Sequence, residues 1–105
     1  MDIWTHVKAL EGETLATLDR NKKFKVCQVK NFEVVVIPAA TGKHRPVPRK
    51  TIEDAYRFLV SNKQLSRERI EKEFAPRNPV YVAAILAKMP GVDYRLKPIT
   101  LIYRE

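Results

Sequence analysis

A chain of 105 residues, 45% hydrophobic and 30% charged, has the length of one domain with one core and leaves little room for a deep active-site cleft. It has no run of ~18 apolar residues, which excludes a transmembrane helix. Its one cysteine, Cys27, excludes an internal disulfide and a cysteine-based zinc site. Twenty Lys and Arg against twelve Asp and Glu give a net charge of +8, a balance that attracts polyanions by counterion release. The start of the chain carries Asp2 and has neither a basic region nor an apolar stretch, so no signal peptide is expected and a reducing cytoplasm is the expected location.

The chain reads as a single α+β domain, 1–105, with a β-rich half over 1–49 and a helical half over 50–105. Asp2 is placed to cap a short helix that carries Ile3, Trp4, Val7 and Leu10 on one side. Gly12 ends it. Residues 14–18 suit a strand, and Asp19-Arg20-Asn21-Lys22-Lys23 is turn chemistry. Phe24 to Val29 predicts a second strand, with Cys27 inside it as a core residue. Lys30-Asn31 predicts a tight hairpin, with Asn31 at positive φ, leading to a strand over 32–37 that Pro38 closes. Val47, between Pro46 and Pro48, predicts at most a short edge strand. An antiparallel meander over 14–37 follows from these segments.

The period changes near residue 50. Ile52, Ala55, Tyr56, Leu59 and Val60 form one helical face over 51–61, with Thr51 as the expected cap. Ser66 caps a second helix over 66–74, with Ile70 and Phe74 as its apolar pair and Pro76 as its stop. Its charges are spaced to pair as Arg67 with Glu71, Glu68 with Lys72 and Arg69 with Glu73. Asn78-Pro79 starts a third helix over 79–89, Asn capping and Pro fitting the first position. Ala83 to Ala87 is apolar on most sides, the pattern of a buried helix. Residues 92–103 read as a hairpin that turns at Lys97-Pro98. Trp4, Tyr56, Tyr81, Tyr94 and Tyr103 occupy core-like positions, so packing is expected of them before base stacking.

No chemical constellation stands out. His6 and His44 lie in different segments, the carboxylates sit at pairing distance from cations, and the three glycines form no phosphate loop. No enzyme, cofactor or metal is expected. The most distinctive segment is Thr41 to Lys50, basic and stiffened by two prolines. Lys43, Arg45, Arg49 and Lys50 are spaced to track a phosphate backbone, and Arg77-Asn78 carries groups able to read guanine and adenine edges.

Three helices followed by a hairpin, carried by Ser66–Phe74, Ala75-Pro76-Arg77-Asn78, Pro79–Met89 and Tyr94–Tyr103, resemble a winged helix-turn-helix DNA-binding domain. The resemblance covers about half the chain. Two departures are visible: the turn holds two prolines and no glycine, and the third helix has one basic residue, Lys88, at its far end. The resemblance implies that the third helix enters the major groove and the wing meets the backbone or minor groove. Arg77, Asn78, Tyr81 and Lys88 would then lie on or near the recognition helix, and Arg95 and Lys97 on the wing. The expected function is a small basic nucleic-acid-binding module, duplex DNA favoured, serving as a regulator or accessory domain of a DNA-processing system. The alternative is a protein-interaction or structural module whose basic surface has no nucleic-acid role.

Overall fold

A computed structural model describes residues 2–104. Helix α1 spans Ile3–Lys8, and the Asp2 carboxylate caps it by accepting from the Trp4 amide at 3.0 Å. A four-stranded antiparallel meander follows: β1 Thr14–Ala16, β2 Lys23–Val29, β3 Glu33–Pro38 and β4 Arg45–Pro48, in the order β1-β2-β3-β4. Helix α2 is Arg49–Asn62, strand β5 is Gln64–Ser66, and α3 is Arg67–Arg69 running on into a π-helical turn, Ile70–Phe74. Helix α4 is Pro79–Leu86, followed by β6 Val92–Leu96 and β7 Ile99–Tyr103. The last two strands form a second sheet with β5, in the order β5-β7-β6. The fold is thus α+β, with the meander ahead of the larger helices. No helix among the described residues is long and apolar enough to cross a membrane.

Several local rules hold as read. The Ser66 hydroxyl caps α3 by accepting from the Arg69 amide at 3.1 Å. The β2 alternation buries Phe24 and Val26 and exposes Lys23 and Lys25. Other expectations are corrected. Cys27 is exposed: the alternation that buries Phe24 and Val26 sets it on the outward face with Lys25, and a bulge between Val26 and Gln28 leaves it unpaired with β3. The positive φ falls on Asn21 (54°), in the β1–β2 turn, and not on Asn31. Helix α2 starts at Arg49, with the extended Pro48 in the cap position instead of Thr51, so β4 runs straight into the helix. Two cations in a first turn oppose the helix dipole. Each is matched one turn on: Arg49 Nε lies 3.1 Å from Glu53, and Lys50 Nζ 2.5 Å from Asp54. Tyr94 is 43% exposed, not core, because β6 is an edge strand with no layer over it.

The buried apolar residues form one cluster drawn from both halves of the sequence. Helix α4 lies within it. Val82, Ala83, Ala84, Ile85 and Leu86 are all 0–2% exposed. Its contacts include β1 on one side and α2 and α3 on the other, and Tyr81 meets Phe24 of β2 edge-on at 5.0 Å. The third helix is therefore buried, as its composition suggested. The turn at Gly91 (φ 77°) lets the chain leave this helix for β6. A Cβ there would stand 2.8 Å from the Arg104 carbonyl oxygen and 2.9 Å from the Tyr103 ring. Gly91→Ala is expected to lower stability by at least about 2 kcal/mol, from strain plus collision. Gly12→Ala, at φ 86° but in open space, should lower it by only about 1 kcal/mol. Urea denaturation of the two variants checks the difference.

Candidate nucleic-acid interface

The residues singled out in the sequence fall in three places. Arg95 and Lys97 stand exposed on the β6–β7 hairpin. Tyr94 and Leu96 beside them are 43% and 49% exposed, so this strand offers both charge and apolar surface to solvent. Arg77 and Asn78 lie against β4, where a shallow groove of about 300 Å³ runs between Pro46, Pro48, Phe74 and Arg77. The Asn78 amide nitrogen donates to the Pro46 carbonyl at 3.5 Å and makes no cap bond to α4, which corrects its expected role. Pro79, with no N–H, leaves one donor fewer to cap there. Arg45 begins β4 on this flank, and Lys43 is exposed in the loop before it.

Arg49 does something else. Its guanidinium lies 4.8 Å over the Trp4 ring, donates to the Asn31 carbonyl at 3.1 Å and to Glu53 at 3.1 Å, and stands 3.9 Å from Asp2. Trp4 in turn donates its ring N–H to the Lys30 carbonyl at 3.1 Å. Together the two side chains tie α1, the β2–β3 loop and the start of α2. Lys50, 85% exposed, leans on Asp54, and Arg57 reaches the same carboxylate at 3.2 Å. The hydrogen bond from Lys50 first holds the Asp54 carboxyl below the usual range; burial opposes it, and the charges of Lys50 and Arg57 and the hydrogen bond from Arg57 add to the lowering. Lys88 is exposed at the far end of α4, and Tyr81 is partly buried against Phe24. The structure therefore sets Arg77 and Asn78 against Pro46 of β4, places Arg95 and Lys97 on the second sheet, and turns Arg49 inward.

A larger cleft, about 650 Å³, was not anticipated. It lies among the β1–β2 turn, the β3–β4 loop and the first turns of α3 and α4, and Arg20, Lys22, Lys23 and Arg67 line it. The sequence signal for the first three was their run in one turn. Arg67 was assigned to Glu71, and that pair does not form: the Arg67 Nε is buried with no hydrogen-bond partner. The other two expected pairs do form, Lys72 with Glu68 at 2.7 Å and Arg69 with Glu73 at 3.2 Å. Among the described residues no group of three His, Cys, Asp or Glu is placed to hold a metal ion. Comparison with protein families, with curated proteins and with solved structures finds no match.

Arg49→Ala should lower the unfolding free energy by about 1–3 kcal/mol, having lost a cation–π contact and a hydrogen bond to a carbonyl. Lys50→Ala should stay within about 0.5 kcal/mol, as exposed pairs do. Equilibrium urea titrations separate the two. The depressed carboxyl of Asp54 contributes stability that is present above the ordinary aspartate range, near 3.8, and is lost as pH falls through its folded value. Asp54→Asn should remove that part of the acid-side loss, by less than about 1 kcal/mol given its exposure. Melting temperatures of both proteins between pH 2 and 6 check it.

Proposed function

We propose that the chain is a small nucleic-acid-binding module for duplex DNA, and that it grips the duplex through its β6–β7 hairpin and neighbouring loops. The observation that carries this reading is the hairpin. It projects from a helix–strand–helix–helix–hairpin unit, α2 to β7, in which β5 pairs with β7 and so ties the hairpin to the helices. That arrangement is similar to a winged helix-turn-helix. Exposed Arg95 and Lys97, with Tyr94 and Leu96 between and beside them, suit a wing laid on the sugar-phosphate backbone or in a minor groove. The net charge of +8 supports the same reading.

The burial of α4 changes how such a unit works. A helix whose middle is covered by β1 and β2 offers no face to the major groove. The third helix then serves as core, and contact falls to surfaces that remain open. Lys43, Arg45, Lys50 and Arg77 join Arg95 and Lys97 as phosphate contacts in this proposal, while Arg49 and Asn78 hold the scaffold. Contact with phosphate fixes position and carries no base code, so sequence preference is weak. The module serves as an accessory to a DNA-processing system or its regulator, in a cytoplasm that keeps the exposed Cys27 reduced. A second reading, docking to another protein, is favoured by Phe32, which is 84% exposed at the tip of the β2–β3 loop.

Fluorescence anisotropy with a random 20-base-pair duplex tests the proposal. Neutralising ~6 phosphates predicts a log–log salt slope near −5. Arg95→Ala with Lys97→Ala should weaken binding to all sequences alike and flatten the slope by about 2. Absence of binding at low salt at ~100 µM protein, where non-specific binders associate, would overturn it in favour of the protein partner.

A further inference from the structure

The 650 Å³ cleft is cationic in an unusual way. Arg20, Lys22, Lys23 and Arg67 line it against one carboxylate, Asp19. Asp19 is turned to its own loop, where Oδ1 accepts from the Arg20 amide at 2.8 Å. Among the described residues none of the four cations forms an ion pair or side-chain hydrogen bond. Arg67 is the sharpest case. It is partly buried, its Nε is out of contact with water, and no acceptor meets it. Glu71, one turn along and at pairing distance by sequence, stands exposed instead. A guanidinium donor withdrawn from water without an acceptor destabilises a fold. Such a donor suits an acceptor that arrives from outside.

The shape of the cleft narrows the ligand. Its volume falls within the ~300–1,000 Å³ of small-molecule sites and far exceeds what a bare anion fills. Pro38, Ala40, Val80 and Tyr81 give it an apolar side. Tyr81 is held in place by the edge-on contact with Phe24, at 66° between ring planes. The first turn of α4, which has no side-chain cap, lies on the same wall and adds its positive end. We propose that this cleft binds a phosphorylated nucleoside, with the phosphate on Arg67 and the cations of the β1–β2 turn and the base against the Tyr81 side. The guanidinium fork matches phosphate oxygens, and the lysines act as point charges beside it. The nucleotide is either free or the terminal residue of a strand. The site is apart from the β6–β7 hairpin, and it stands whether or not the hairpin binds a duplex.

Amide-resolved NMR titration and thermal shift with AMP, adenosine and inorganic phosphate test this. AMP should move the amides of Arg20, Lys22, Thr41 and Arg67 and raise the melting temperature. Adenosine should do neither, and phosphate alone should act at the same amides more weakly. Arg67→Met keeps the length of the side chain and removes its charge. It should not lower the melting temperature of the free protein, since the one buried donor without an acceptor, Nε, is removed with the charge, and it should weaken AMP on the order of tenfold or more. Lys22→Gln with Lys23→Gln, both exposed where the turn enters β2, should weaken AMP with the free protein's melting temperature unchanged. A 5′-phosphorylated tetranucleotide that outcompetes AMP identifies a strand terminus as the source; AMP outcompeting it identifies the free nucleotide. The proposal is overturned if the cleft amides do not move at ~10 mM AMP, where even a ~1 mM site is filled. It is equally overturned if Arg67→Met binds AMP as well as the parent does. None of these probes is a duplex, so a negative result leaves the hairpin titration unaffected.

Discussion

The burial of α4 from Val82 to Leu86 is the constraint on which the rest of the structure depends. Val80 to Leu86 contains no charged residue, and five consecutive positions from Val82 are sealed from water. A helix apolar all round must be covered all round. The α2–α3 layer covers one side, and the meander covers another through β1 and β2. A chain of this size supplies apolar side chains for one core only. The N-terminal sheet and the helical half are therefore joined through a shared helix.

That joining decides which surfaces remain for binding. The helix that a helix-turn-helix would present to a groove is spent on cohesion. What remains open are edges and tips: β6, the loop before β4, and the β1–β2 turn. Cations lie at all three, and two different fates follow for them. Where a cation has acidic and aromatic neighbours together it is absorbed into the scaffold, as Arg49 is by Trp4, Asp2 and Glu53, and as Arg69 is by Glu73 and the Phe58 ring at 5.1 Å. Where it has none, as at Arg67, the charge is available to a ligand, and the fold is less stable for keeping it.

Much of this architecture was legible because periodicity reports burial directly. The alternation of Phe24 and Val26, the 3–4 spacing of Ile52, Ala55 and Leu59, and the unbroken apolar run in α4 each mapped onto the observed core. The failures arose where tertiary context overrides a local rule. Cys27 has apolar neighbours, yet it falls on the solvent face of the meander with Lys25. Tyr94 alternates correctly, but alternation does not say whether a layer lies above the strand. Strand β5, Gln64–Ser66, has only three residues and too short a period to read; its role is set by pairing with β7. At the candidate site the eight expected residues, seven cations and Asn78, fall in three places. The cleft around Arg67 was hidden because a helical spacing to Glu71 gave Arg67 an ordinary partner in sequence, and only the packed structure withdraws it.

Hydrogen–deuterium exchange of the α4 amides, read with and without duplex DNA, tests most directly the claim that this helix is core and not reader. The account predicts that Val82 to Leu86 exchange as slowly as the most protected strands in both conditions, while any protection gained with DNA falls on residues 94–97, the loop before β4 and the start of α2. Fast exchange of α4 in the free protein, or a change confined to α4 when duplex is added, would contradict it.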